Sequence, residues 1–149
     1  MVQLILGQCT APVTRFRGGS VLAKSSISPA PIEGVLGAKA QTNNGMVKVT
    51  IGRTAKAHGH EIGNQMGVNT WAAFAGSDEN AFVDGDFAMH ESEVQGVLKA
   101  LRHSGINIVA IHNHMNEEDP RYVFLHYWGK GKAIDLARAV KSAPDTQLN

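Results

Sequence analysis

His112-Asn113-His114 is the pattern in this chain with the most chemistry to offer. One residue separates the two histidines, so on an extended backbone both imidazoles point to one side and can reach one ion. His58-Gly59-His60, followed by Glu61, repeats the spacing, and His126 adds a third location. Five of the seven histidines therefore fall in three short stretches. The chemistry this pattern suits is a divalent metal site, zinc first, with His112, His114, His126 and His60 as ligands. The plainer alternative is that some of these histidines fill half-polar positions or turns. Asp84-Gly85-Asp86 puts two carboxylates on one face of a strand, where they could bind metal, exchange protons, or simply be solvated or cap a helix. Glu61 and Asp84 are the general-base candidates if an ion-bound water is to be activated.

Several sharper motifs fail on spacing. His60-Glu61 lacks the histidine that a zinc-protease helix needs, because Asn64 stands there. His112-Asn113-His114 spells the name of a nuclease class, but those enzymes spread the letters along a longer motif. Gly129-Lys130-Gly131-Lys132 lacks the leading glycine and trailing Ser/Thr of a phosphate loop and fits a strand-to-helix turn. Trp71 and Phe74 fall on opposite sides of their strand, and Trp128 suits core packing. Arg121 could take an anionic ligand or pair with Glu117, Glu118 or Asp119.

The elements that must position these groups follow from periodicity. Gly105 to His114 is rich in β-branched residues and predicts a largely buried strand, with Ile106, Ile108, Ala110, His112 and His114 sharing one side. Glu91 to His103 predicts a helix with Val94, Val97, Leu98 and Leu101 on one stripe, acidic at its start, basic at its end and stopped by Gly105. A strand follows at Tyr122 to Trp128. A tight turn near residues 117–118 would set His126 opposite Ile108 or Val109, about 13 Å from His112. A last helix runs from Lys132 to Ser142, ended by Pro144.

Upstream, Asn69–Ala75 and Ala81–Ala88 read as a hairpin, and Met46–Ile51 as a strand after an Asn43-Asn44-Gly45 turn. Residues 52–68 read as a loop, and Ile32–Leu36 as a short helix opened by Pro31 and ended by Gly37. Residues 1–30 have no sustained pattern beyond a short strand option at Val2–Leu6, and read as a poorly ordered leader. Residues 31–143 then form one domain and 144–149 a tail. The class is α+β: a mixed, mostly antiparallel sheet with helices packed on one face, in strand-helix-strand-strand-helix order through the C-terminal half.

At 149 residues, with 43% apolar and 18% charged residues, the chain can bury a core without staples. A net charge of +1 with no basic stripe speaks against nucleic acid as a partner, and no apolar run has the roughly 20 residues of a membrane span. Cys9 stands alone, so no internal disulfide forms.

Five segments in order carry a family resemblance: Met66–Phe74, Val83–Phe87, Val109–His114, Pro120-Arg121 and Phe124–Gly129. Through them residues 31–143 resemble the LppY/LpqO family, secreted or lipid-anchored bacterial proteins whose domain has no established function. The resemblance implies an extracytoplasmic setting. Two functions stay open: a metal-binding domain with hydrolytic capacity, and a non-catalytic cell-envelope module that binds a small molecule or an envelope component.

Overall fold

The computed structural model describes residues 24–143; the short strand expected at Val2–Leu6, Cys9, the helix stop at Pro144 and the tail lie outside them. Helix α1 (Pro29–Leu36) opens on a proline, which needs no amide partner there, and closes on Gly37 in the left-handed region, whose N–H reaches the Glu33 carbonyl. It begins earlier than the sequence suggested. The chain ahead of it is docked too: Ile27 is 5% exposed, and the Ser28 hydroxyl and N–H both donate to Asp78. Ser25 to Ser28 are therefore tied to the sheet by side-chain and backbone hydrogen bonds.

Six strands form the main sheet in the order β1-β2-β5-β6-β9-β7, every neighbouring pair antiparallel. They are β1 (Ala40–Asn43), β2 (Met46–Gly52), β5 (Asn69–Ser77), β6 (Asn80–His90), β7 (Asn107–His112) and β9 (Tyr122–Gly131). Helix α2 (Val94–His103) connects β6 to β7, and α3 (Ala133–Lys141) follows β9. This is the expected α+β class and element order.

Three helices bury one face of the sheet. Val97 and Leu101 of α2, Leu136, Ala137 and Val140 of α3, and Ile32 and Leu36 of α1 pack with Phe74, Val83, Phe87, Met89, Leu125 and Tyr127. Gly85 belongs to this packing: a Cβ there would collide with the Tyr127 hydroxyl, which donates to the Trp71 carbonyl at 3.0 Å. Phe74 is fully buried, and Trp71 faces the opposite side as its position predicts.

The other face is covered over only part of its extent. Residues 52–68, expected to be a loop, instead hold β3 (Ala55–Ala57) and β4 (His60–Ile62), which with β8 (Glu118–Asp119) make a three-stranded sheet. The reason lies in His58 and Gly59, with φ of 50° and 81°: two consecutive left-handed residues close a two-residue hairpin between Ala57 and His60. The small sheet adds Ala55 and Ile62 to Val68, Ala88, Tyr122 and Phe124 in a second core. Met89 and Ala88 thus look into different cores.

Candidate metal centre

β7 is not the buried strand its composition promised. It lies at the sheet edge, with Val109 58% and Ile111 50% exposed. A bulge interrupts its pairing: Ile108 faces Tyr127, but Ala110 faces His126, leaving Val109 as the extra residue. Tyr127 points to the helices and His126 to the open face, so the bulge switches the side that β7 presents. Ile106 and Ile108 join the main core, while Ala110 and His112 face the other way. The expectation that all five alternate residues share one side is therefore corrected, and the bulge is what delivers His112 to an accessible surface. It also brings His126 into line with Ala110, two positions from His112's partner Phe124, rather than about 13 Å away.

On this open face three side chains converge. His112 Nε2 lies 3.1 Å from His114 Nε2, and Asp86 Oδ2 lies 3.6 Å from the first and 3.7 Å from the second. Among the described residues, Asp86, His112 and His114 are the one group of three whose possible ligand atoms all fall within 4.8 Å of one another. β6 supplies Asp86, the end of β7 supplies His112, and the turn beyond it supplies His114. β9 runs between β6 and β7 and provides the floor. The His114 ring lies flat on Phe124, centroids 3.5 Å apart and 9° from parallel, and Phe124 is itself fully buried. Asn113, between the two histidines, is pinned by its Nδ2, which donates to the Tyr122 carbonyl at 2.9 Å.

Asp86 is the group that makes the arrangement unusual. It is 6% exposed, and its Oδ1 is buried with no hydrogen-bond partner among the described residues. Burial pushes its carboxyl above the usual range, and the neighbouring imidazoles of His112, His114 and His126 pull against that. A buried acceptor without partners costs about 1–3 kcal/mol unless something else, such as a cation, satisfies it.

The remaining sequence candidates sit elsewhere. His126 lies opposite Asp86 across the β6–β9 pair, but its Nε2 is 3.1 Å from Asp84 Oδ1, and the Trp71 ring meets it edge-on at 6.3 Å. His126 and Asp84 thus form a pair beside the trio. His60 and Glu61 are exposed on β4 of the small sheet, and neither joins the trio. His58-Gly59-His60 is a hairpin turn, not a second ligand pair, and His58 approaches Glu117 at 3.7 Å. Trp128, expected in a core, is half-buried on the open face, and Arg121 is exposed. The residue that sequence reasoning underrated is Asp86, visible only as one of two carboxylates sharing a face.

A family model for a domain of unknown function, DUF1259, matches residues 30–146. The chain belongs to this family. No curated protein and no solved structure matches it. The DUF1259 match takes in every residue of the trio, the Asp84–His126 pair and, Ile27 apart, both cores. Among the described residues no helix is long and apolar enough to cross a membrane.

Proposed function

We propose that this domain binds a divalent metal, zinc, through Asp86, His112 and His114, and uses it for hydrolysis. The observation that carries the reading is the size of the ligand triangle. Over a triangle with sides of 3.1, 3.6 and 3.7 Å, an ion about 0.7 Å out of the plane would stand about 2.1 Å from all three atoms, the length of a zinc bond to imidazole or carboxylate. Tetrahedral zinc sets its ligands about 3.3 Å apart and octahedral magnesium about 3.0 Å, so the mean spacing favours the tetrahedron. Three protein ligands leave one position for water, the pattern of a catalytic rather than a structural zinc site. Zinc bound there would lower the pKa of that water towards about 7. The Asp84–His126 pair, beside Asp86 and partly exposed, is the group best situated to take its proton. Glu61, on the far sheet, has no part in this reading.

The full-face contact of His114 on Phe124 supports a second reading, a non-catalytic cell-envelope module in which the histidines serve packing. The resemblance to the LppY/LpqO proteins supports an extracytoplasmic setting for either. Zinc titrated into metal-stripped protein, followed by calorimetry, separates the two. One site per chain, lost in His112→Ala, His114→Ala and Asp86→Ala and kept in His103→Ala, is expected. No saturable binding, or unchanged binding by His112→Ala, leaves the packing role in its place.

A further inference from the structure

We propose that Lys48 and Trp71 form a subsite beside the metal centre, where the lysine holds an anionic group of the substrate, a carboxylate or a phosphate. The inference rests on the metal reading and adds the class of molecule the centre would act on. Residues paired directly across an antiparallel sheet point to one face, as do residues two apart along a strand. Trp71 pairs with Asp86, and Asp86 with His126, so the three share the open face. Lys48 pairs with Ala73, two residues from Trp71, and so belongs to the same face. Its ammonium lies 4.3 Å from the centre of the Trp71 ring, which in turn meets His126 edge-on. The Trp71 backbone is fixed by the Tyr127 hydroxyl on its carbonyl. A lysine lying on a ring samples fewer rotamers than one free in water, so it loses less entropy when it takes a ligand.

Charge identifies the ligand. Lys48 is exposed and has no carboxylate partner among the described residues, whereas Arg53 pairs with Glu93, Lys39 with Glu33 and Lys132 with Glu79. Asp84 stands in the same cross-strand row, beyond Ala73, but turns to His126 instead. The methyl group of Ala73 leaves room between them for a ligand. A divalent ion on one carboxylate and two neutral imidazoles keeps a net positive charge, and Lys48 adds a second positive centre along the face. The complement is a molecule with one electron-rich group on the ion and an anionic group further along; a neutral molecule would leave the ammonium unanswered. Lys130 supplies a contrast. Its ammonium lies 5.5 Å from the centre of the Phe82 ring, but Phe82 is four residues from Asp86 along β6, about 13 Å away.

Acetate, succinate, glutarate, adipate and 3-phosphonopropionate, titrated calorimetrically at constant ionic strength into the zinc-loaded full chain, test this. At least one dianion should bind about tenfold tighter than acetate, the contribution of one charge-assisted contact. Whether that dianion is a dicarboxylate or the phosphonate identifies the group Lys48 prefers. Lys48→Gln should lose the gain and Lys130→Gln should keep it. Zinc bound at one per chain with no dianion tighter than acetate, or a gain that survives Lys48→Gln, overturns this inference alone. No saturable zinc binding overturns the metal reading, and this inference with it.

Discussion

Replacing Asp86 by asparagine should stabilise the metal-free protein and destroy its response to zinc. The carboxylate is 6% exposed, its Oδ1 has no partner among the described residues, and the two imidazoles stand 3.6 and 3.7 Å from Oδ2, beyond hydrogen-bond length. Without metal the fold therefore carries a buried, poorly satisfied charge. The neutral isostere removes that charge, and Nδ2 can donate to an imidazole; a gain of about 1–3 kcal/mol is expected. For a domain of this size that raises the melting temperature by about 3–9 °C. Zinc at a hundredfold excess over its Kd should add about 2.7 kcal/mol to the parent and nothing to the variant, reversing their order. The pH dependence supplies a second check. Burial raises the folded-state pKa of Asp86. Its contribution to stability is thus fully present below the ordinary carboxylate pKa, about 4, and is lost as pH rises through the raised value. Parent and variant should melt together near pH 4 and separate towards pH 7.5. Calorimetry with chelator or zinc at both pH values decides it: an Asp86→Asn protein that melts lower than the parent at pH 7.5 without metal, or gains equally from zinc, refutes the reasoning.

Glu93 accepts two hydrogen bonds from Arg53, at 2.6 and 3.0 Å, and one from the His90 amide; burial opposes its charged form, but these bonds win and hold its pKa below the ordinary value. Its stabilisation is therefore full above about pH 4.5 and lost as pH falls through the lowered value, and Glu93→Gln should cost about 1–3 kcal/mol at pH 7 in chemical denaturation, a cost that shrinks as pH falls below about 4.5. Leu101 is fully buried on α2 and Lys99 is exposed, so Leu101→Ala should cost about 2–5 kcal/mol and Lys99→Ala less than about 0.5, measured by urea titration. Asn113→Ala frees the turn between the two histidines from the Tyr122 carbonyl and should weaken zinc binding about 10–100-fold in calorimetry, with a small change in metal-free stability. Zinc joining the end of β7 to β6 should slow amide exchange across residues 107–114 and leave β1 and β2, at the far edge, unchanged; uniform slowing would show that the ion acts on global stability alone.

The sequence carries the local half of this molecule. α2 announces itself through Val97 and Leu101 at helical spacing, and the β5–β6 hairpin through two alternating runs around a polar turn. His112 and His114 are legible for the same reason: a two-residue period needs no knowledge of the rest of the fold. The hairpin at His58-Gly59 could have been read as well. Its two-residue turn is flanked by short segments with buried Ala55 and Ile62, but histidine in the left-handed region is an uncommon turn signal beside Asn-Gly.

Asp86 could not be chosen over Asp84 in that way, because the choice depends on what lies across the sheet. β6 and β7 are joined through α2 but are not neighbours; β9, which comes later in the chain, pairs between them. Only that insertion brings a β6 carboxylate and the β7 histidines over the same floor, and only the bulge at Val109 turns His112 towards it. Without the extra residue the alternation that puts Ile106 and Ile108 into the main core would have put His112 on the helix-covered face as well. An ionisable ring there would have displaced apolar packing. The bulge thus lets one short strand do two things that alternation alone forbids: close the main core with its first half and present an imidazole to the open face with its second. Asp84, two residues from Asp86 on the same face of β6, is 55% exposed and leans to His126, whereas Asp86 lies under the imidazoles with an oxygen that no group among the described residues satisfies. The difference between the two carboxylates is set by strand order and one inserted residue, both of them long-range facts.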